Sequence, residues 1–150
     1  MVYFMHFIQV IILRRCLKKP LNRTPAARVH QLRIQLSLSM LFLELGNTEK
    51  SRDWEEKAFK IINFAGMSTG EALQQGGLML FQCQLYSTRM NTLKVVKYAE
   101  VVFDLIDAHK QQCSLADLLR LCEVVRYLPY EISDRLKDRQ RKVITLIISR

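Results

Sequence analysis

Met40–Gly46 reads MLFLELG, and two later stretches, Met79–Tyr86 (MLFQCQLY) and Cys122–Pro129 (CEVVRYLP), share its plan of a leucine-rich helix that meets a break. A second helical stretch follows each of them. The leucines that anchor this repeat are Leu45, Leu85 and Leu128, which gives steps of 40 and 43 residues. A period in this range is typical of stacked helical hairpins. We therefore predict an all-α fold, a helical hairpin array of three hairpin-like repeats and about seven helices, with an N-terminal helical extension.

Short polar residues and glycines predict where the helices begin and end. Thr24 precedes a proline and Ser68 opens a capping box, so each is expected to cap a helix. Gly46 is expected to end one. Gly76 and Gly77 lie within a predicted helix and weaken it by roughly 1 kcal/mol each, so we expect a neighbouring helix to approach closely there. The inner layer of the array is predicted to be Leu36–Leu45, Leu78–Leu85 and Leu118–Val125.

Length and composition predict two parts, an extension with a linker over residues 1–24 and an α-helical repeat-like domain over residues 25–150. With 49% hydrophobic residues, 150 residues bury a core without disulfides. No two of the four cysteines form a Cys-x-x-Cys pair, and we expect buried free thiols in a reducing compartment. The three histidines stand far apart in the sequence. No metal site and no cofactor is predicted.

The formal net charge of +9 favours anionic partners. The run Met1–Leu43 contains seven cations and no carboxylate. A second cluster, Arg135–Lys142, contains five cations, of which Arg135, Arg139 and Lys142 share one side of a helix. Such a row suits a phosphate backbone, although an ordinary solvated helix face explains it equally well. The candidate RNA-binding residues are Arg14, Arg15, Lys18, Lys19, Arg23, Arg28, Arg33, Arg135, Arg139 and Lys142.

The apolar start of the chain, Val2–Leu13, is open to several interpretations. It is too short for a transmembrane helix, which needs roughly 20 apolar residues. It lacks the basic region that begins a secretory signal, and it fits an organellar targeting segment only in part. Pro20 is expected to end its helix. We predict that Met1–Arg33 leaves the body and inserts into a partner, with the apolar helix on protein and Arg14–Arg28 on phosphate; contact with a membrane is the alternative.

The sequence contains no phosphate-binding loop, no zinc-protease motif and no nucleophile elbow. The carboxylates of Asp104 and Asp107 are spaced as on an exposed helix face, and general acid–base catalysis needs a cleft and perturbed pKa values as well. We therefore predict that the protein is not an enzyme.

Leu115–Tyr130 (LADLLRLCEVVRYLPY) resembles the helical repeat of organellar RNA-binding proteins of the octotricopeptide and heptatricopeptide type, which also occurs in FAST-kinase-like proteins. Those repeats close a leucine-rich helix with a Leu-Gly-like break. Leu45 with Gly46 and Leu128 with Pro129 stand where this break falls, whereas Leu85 is followed by tyrosine. The resemblance implies a mitochondrial or plastid setting and an RNA or ribosome partner, and it transfers no individual binding residue.

Together these observations predict a non-catalytic subunit of an organellar ribonucleoprotein, a mitochondrial ribosomal protein that binds rRNA and neighbouring proteins. Two alternatives remain open. One is a structural subunit of a mitochondrial membrane complex, with Val2–Leu13 against lipid. The other is a tetratricopeptide-like adaptor that binds proteins only. The alternative location is the cytoplasm.

Overall fold

The computed structural model describes residues 8–12, 24–62 and 66–149. The described residues contain helices, turns and loops and no strand, which confirms the predicted all-α class. The main elements are α1 (Pro25–Glu44), α2 (Thr48–Ile62), α3 (Thr69–Thr88), α4 (Thr92–His109), α5 (Leu115–Cys122), a 3-10 helix (Glu123–Tyr127) and α6 (Asp134–Ile148).

The chain divides into two compact units, Met1–Met67 and Ser68–Arg150. This boundary lies within the body predicted for residues 25–150. The predicted border between extension and body, at residue 24, follows residues 13–23, which lie outside the described residues. That border stays a prediction.

The first unit is built on the α1–α2 hairpin. Consecutive positions of α1 are buried, among them Ile34 and Leu36, so the helix is covered on more than one side, as its all-round apolar sequence predicts. Ser39 and Ser51 lie buried between the two helices. The hydroxyl of Ser39 donates to the carbonyl of Ser51 at 2.8 Å, and the hydroxyl of Ser51 donates to the carbonyl of Ser39 at 2.7 Å.

Residues 8–12 are helical and lie against the same unit. Val10 is buried in a cluster with Ile34, Leu38 and Phe42 of α1. Part of the predicted extension therefore packs on its own chain, whereas we predicted that Met1–Arg33 leaves the body. Burial of an apolar side chain on an apolar helix accounts for the difference. What the remaining residues of the extension contact stays a prediction.

The second unit is organised around α4, which contacts α3, α5, the 3-10 helix and α6. The helix α3 crosses α5 at Gly76. A Cβ placed on Gly76 would lie 2.5 Å from Cδ2 of Leu121, and one on Gly77 would lie 2.9 Å from the guanidinium of Arg120. The close approach predicted for this glycine pair is confirmed.

The breaks inside the two hairpins have the same geometry but a different register from the predicted one. Gly46 (φ +82°) follows α1 and Met90 (φ +57°) follows α3, a step of 44 residues. The next residue, Asn47 or Asn91, donates its N–H to a carbonyl in the preceding helix and caps the following helix. Leu85, the leucine that anchors the second repeat, does not itself mark the break, because it lies within α3, which continues to Thr88.

The third predicted hairpin differs in two ways. Its first helix changes from α to 3-10 geometry at Glu123, before Pro129. A residue that precedes proline is disfavoured in the α region, and a 3-10 turn is a common way to finish a helix. The second difference concerns its predicted inner layer, in which Leu118 is fully buried but Leu119 is exposed. In the second hairpin, Phe81 of the predicted inner layer is exposed as well.

Among the helices of the described part of the chain, none has both the length and the apolar composition that a membrane-spanning helix needs.

Candidate nucleic-acid interface

The N-terminal cations divide into two groups. Arg14, Arg15, Lys18, Lys19 and Arg23 lie outside the described residues. They fall in the sequence between the helical residues 8–12 and α1, two stretches that are in contact through Val10. The two described members of the cluster are Arg28 and Arg33, both on α1.

Arg28 and Arg33 differ in their surroundings. Arg28 is half-buried and takes part in an interaction within the chain, whereas Arg33 is exposed. No ion pair joins Arg33 to another of the described side chains, and its backbone carbonyl accepts the hydroxyl of Ser37 at 2.9 Å. Its guanidinium is therefore available to an external anion.

The guanidinium of Arg139 points into the protein. Its Nη2 lies 2.6 Å from a carboxylate oxygen of Asp104 and 3.0 Å from one of Asp107, both on α4. It also lies 5.4 Å from the centre of the Phe103 ring, within the range of a cation–π contact. Burial lowers the pKa of Arg139, but the hydrogen bonds and charges of the two carboxylates outweigh this and hold it above its usual value.

This placement separates the three residues predicted to form one row. Arg139 joins α6 to α4, and its side chain is only 15% exposed, so its guanidinium is not available to bind a phosphate, in contrast to the prediction from the spacing. Lys142 is exposed and pairs with Asp138 one helical turn earlier at 3.1 Å. Arg135 is exposed, and among the described residues it has no ion-pair partner. Spacing alone did not show that the middle of the row faces α4.

A groove that no sequence pattern indicated runs along the seam between α4 and α6. A cavity of about 430 Å³ lies there. A smaller cavity of about 80 Å³ lies beside it, and Asp107, Lys142 and Val143 line both. The spacing of Asp104 and Asp107 places both carboxylates on one face of α4, but it does not identify α6 as the helix that this face meets. We call the larger cavity the α4–α6 groove.

The chemistry of the described side chains offers few reactive groups. No set of three or more histidine, cysteine, aspartate or glutamate side chains within residues 8–12, 24–62 and 66–149 is arranged to hold a metal ion. Cys83, Cys113 and Cys122 are buried and form no disulfide, as predicted, and Cys16 lies outside the described residues. Burial raises the pKa of Cys83 to about 12 and that of Cys122 to about 11. Neither thiol is a ready nucleophile at neutral pH.

No protein-family model, no curated protein and no solved structure matches this chain. The resemblance of Leu115–Tyr130 to octotricopeptide and heptatricopeptide repeats therefore stays a prediction.

Proposed function

We propose that the protein is a non-catalytic, RNA-binding subunit of an organellar ribonucleoprotein, the mitochondrial ribosome, in which it contacts rRNA and neighbouring proteins. The observation that carries the proposal is the run Met1–Leu43, which contains seven cations and no carboxylate. Each cation that neutralises a phosphate releases counterions and so favours binding. With no carboxylate in the run, this attraction is not offset locally.

The described parts of the first unit that flank this charge in the sequence lie against each other. Residues 8–12 pack on α1 through Val10, and α1 itself begins at Pro25. The five cations between these stretches are therefore connected at both ends to one helix. Arg33, exposed two turns into α1, extends the cationic surface onto a rigid element. A polyanion is expected to bind beside the N-terminal half of α1.

The hairpin architecture supports a binding role as well. Helical hairpins that stack in arrays present extended surfaces to large partners. The mitochondrial setting rests on the resemblance of Leu115–Tyr130 to organellar repeats, and it is the part of the proposal that needs a cellular test.

Charge neutralisation tests the RNA contact. The quadruple variant Arg14→Gln, Arg15→Gln, Lys18→Gln and Lys19→Gln is expected to bind structured rRNA fragments more weakly. The slope of log affinity against log salt should also become shallower, by roughly 0.7–0.9 for each phosphate that is no longer neutralised. Filter binding at several salt concentrations measures both quantities. An unchanged slope in this variant contradicts the proposal.

The helix α2 provides a matched control. All four of its cations, Lys50, Arg52, Lys57 and Lys60, are exposed, and they stand among carboxylates of the same helix. Neutralising these four removes the same charge from the same unit, and the salt slope should stay close to that of the natural chain. If both quadruple variants lose affinity equally, net charge alone explains the binding.

One observation favours the alternative of a mitochondrial membrane complex. Ile8, Ile11 and Ile12 are exposed by 40%, 38% and 54% on the helical turn that Val10 anchors. Three exposed isoleucines suit a lipid or apolar protein contact. Fractionation of mitochondria separates the two functions. If high salt leaves the protein with membranes and nuclease treatment does not release it, the membrane complex is correct and the ribosomal function is wrong.

A further inference from the structure

The α4–α6 groove combines an apolar floor with a cationic rim. Ile106 of α4 and Val143 and Leu146 of α6 form the floor. The rim contains three cations, Lys110, Arg141 and Lys142. The volume of the groove, about 430 Å³, falls within the range of natural ligand pockets, roughly 300–1,000 Å³. The groove therefore offers contacts of two kinds in one place, apolar at the bottom and positively charged at the edge.

The single carboxylate in the lining, Asp107, is paired within the protein and shares the guanidinium of Arg139 with Asp104. One of its oxygens accepts a hydrogen bond from Arg139 at 3.0 Å. Lys142 is held at 3.1 Å by Asp138, in a pair that is well exposed on both sides. Arg141 is exposed, and no ion pair to another described residue engages it. Lys110 also takes part in an interaction within the chain, so Arg141 is the cation of the rim through which an external carboxylate is expected to bind.

The packing of α6 leaves this seam incompletely filled. Only Leu136 and Val143 of α6 are buried. The smaller cavity continues the seam towards Phe103 and Arg139. A segment that inserts an apolar side chain between the helices would remove the floor from water, a transfer that favours binding.

We infer that the α4–α6 groove is a docking site for an acidic segment of a partner protein, whose apolar side chain occupies the floor while flanking carboxylates contact Arg141 and its neighbours. Charge complementarity identifies the occupant, because carboxylates match the rim. RNA fits less well. Single-stranded bases are recognised chiefly by stacking on aromatic side chains, and none of the residues that line the groove is aromatic. The inference goes beyond the proposed RNA contact and does not depend on it, since that contact is argued from cations of the first unit. Lys142, which was also predicted as a phosphate ligand, is assigned here to the rim of the groove.

The test uses the full chain and an acidic peptide of about twelve residues that carries two central leucines among aspartates and glutamates, a length that lets both the floor and the rim be reached. Methyl NMR spectra are expected to show shifts at Ile106, Val143 and Leu146 when this peptide is added. A second peptide, with serines in place of the leucines, should bind at least several-fold more weakly because it cannot fill the floor. Equal binding by both peptides would show that the floor is not used and would overturn the inference.

Matched charge changes on α6 complete the experiment. Arg141→Glu is expected to weaken binding of the leucine peptide roughly tenfold, a change that corresponds to about 1.4 kcal/mol, and Arg141→Gln should have a smaller effect. Lys137 lies on the same helix, is also exposed and does not line the groove. Lys137→Glu should therefore leave the affinity nearly unchanged. The inference fails if the two charge reversals act alike or if the peptide moves none of the three methyl groups. It also fails if an oligoribonucleotide of equal charge moves these groups at lower concentration, since the groove would then be an RNA site.

Discussion

Ser39 and Ser51 exchange hydrogen bonds across the α1–α2 hairpin, each hydroxyl donating to the backbone carbonyl of the other residue. The two hydroxyl oxygens lie 3.2 Å apart, and both side chains are buried. Small side chains let the helix backbones approach, and the paired bonds fix their register. The contact is local to the first unit, whose two helices also bury Gln35 and Glu55.

Removal of either hydroxyl should weaken the first unit. Ser39→Ala and Ser51→Ala are each expected to lower the free energy of unfolding by about 1 kcal/mol, the usual net value of a buried hydrogen bond. Because both substitutions disrupt the same network, the loss of unfolding free energy in the double variant should differ from the sum of the two single losses by at least about 0.5 kcal/mol, in either direction. Urea unfolding measures all three. Ser37→Ala is the control, since its hydroxyl bonds within α1 to the carbonyl of Arg33; equal losses in Ser37→Ala and Ser39→Ala would contradict this prediction.

The left-handed backbone of Met90 predicts a stabilising substitution. This conformation costs a residue with a Cβ roughly 1–2 kcal/mol, and Met90 is 86% exposed, so its side chain contributes little packing. Met90→Gly should raise the free energy of unfolding by about 0.5–1 kcal/mol, after the larger entropy of glycine in the unfolded chain is counted. Urea unfolding of the variant beside the natural chain measures the change.

Gly46 provides the reciprocal change for this test. A Cβ on Gly46 would meet nothing within 4 Å, so Gly46→Ala tests the backbone conformation without a clash. We expect a loss of about 1 kcal/mol. If Met90→Gly proves neutral or destabilising while Gly46→Ala lowers the free energy of unfolding, the left-handed conformation that the two breaks share does not determine the effect of these substitutions.

The ion pairs of Arg139 should determine how firmly α6 is attached. Arg139→Gln removes the bonds to Asp104 and Asp107, and we expect a loss of about 1 kcal/mol, near the upper end for pairs with exposed partners. Amide hydrogen exchange should become faster in α6 before it does in α4. Lys142→Gln is the control, because its pair with Asp138 spans one turn of the same helix and is worth about 0.3–0.5 kcal/mol. Equal protection of α6 in the two variants would show that the apolar contacts alone hold the helix.

The buried thiol of Cys83 predicts a dependence of stability on pH in the alkaline range. Burial raises its pKa from 9.0 to about 12, so the unfolded thiol ionises at lower pH than the folded one. The stability that Cys83 contributes is therefore fully present below pH 9 and decreases as the pH rises towards 12. The loss of unfolding free energy caused by Cys83→Ala should therefore become smaller by about 1.4 kcal/mol for each pH unit above roughly 9.

A second truncation separates this effect from general alkaline unfolding. Val102 is fully buried on α4 and carries no titratable group, so the cost of Val102→Ala should stay constant with pH. Unfolding curves at about pH 8, 9 and 10 for both variants are sufficient, because they span the range in which the unfolded thiol ionises. A cost of Cys83→Ala that also stays constant would mean that the thiol ionises equally well in the folded protein.

Helix ends were predictable because capping is a local interaction. Thr24 accepts the N–H of Ala27 at 3.2 Å, and Ser68 accepts that of Glu71 at the same distance. The signal and the bond lie within three residues of each other. The left-handed Met90 carries no such signal, since a methionine there is not distinctive in sequence, and the leucine pattern points to Leu85 instead.

The candidate site was only partly predictable from sequence, for a different reason. Helical spacing shows which residues share a side, but not which side faces the protein. Arg139 stands in a cationic row, yet its partners lie 35 and 32 residues earlier in the chain, and no local pattern couples these positions. The groove next to Arg141 depends on the same tertiary contact, so no sequence pattern indicated it either.

The contact between Gly76 and Leu121 limits which inherited changes this gene can carry. Every missense change of a glycine codon adds at least a Cβ, and at position 76 that atom would lie 2.5 Å from a buried leucine. Position 77 faces the flexible end of Arg120, and position 70 faces open space. Natural variants that replace Gly76 should therefore be rarer than those that replace Gly70. The crossing of α3 and α5 would then be visible in population sequence data as a single position at which glycine is retained.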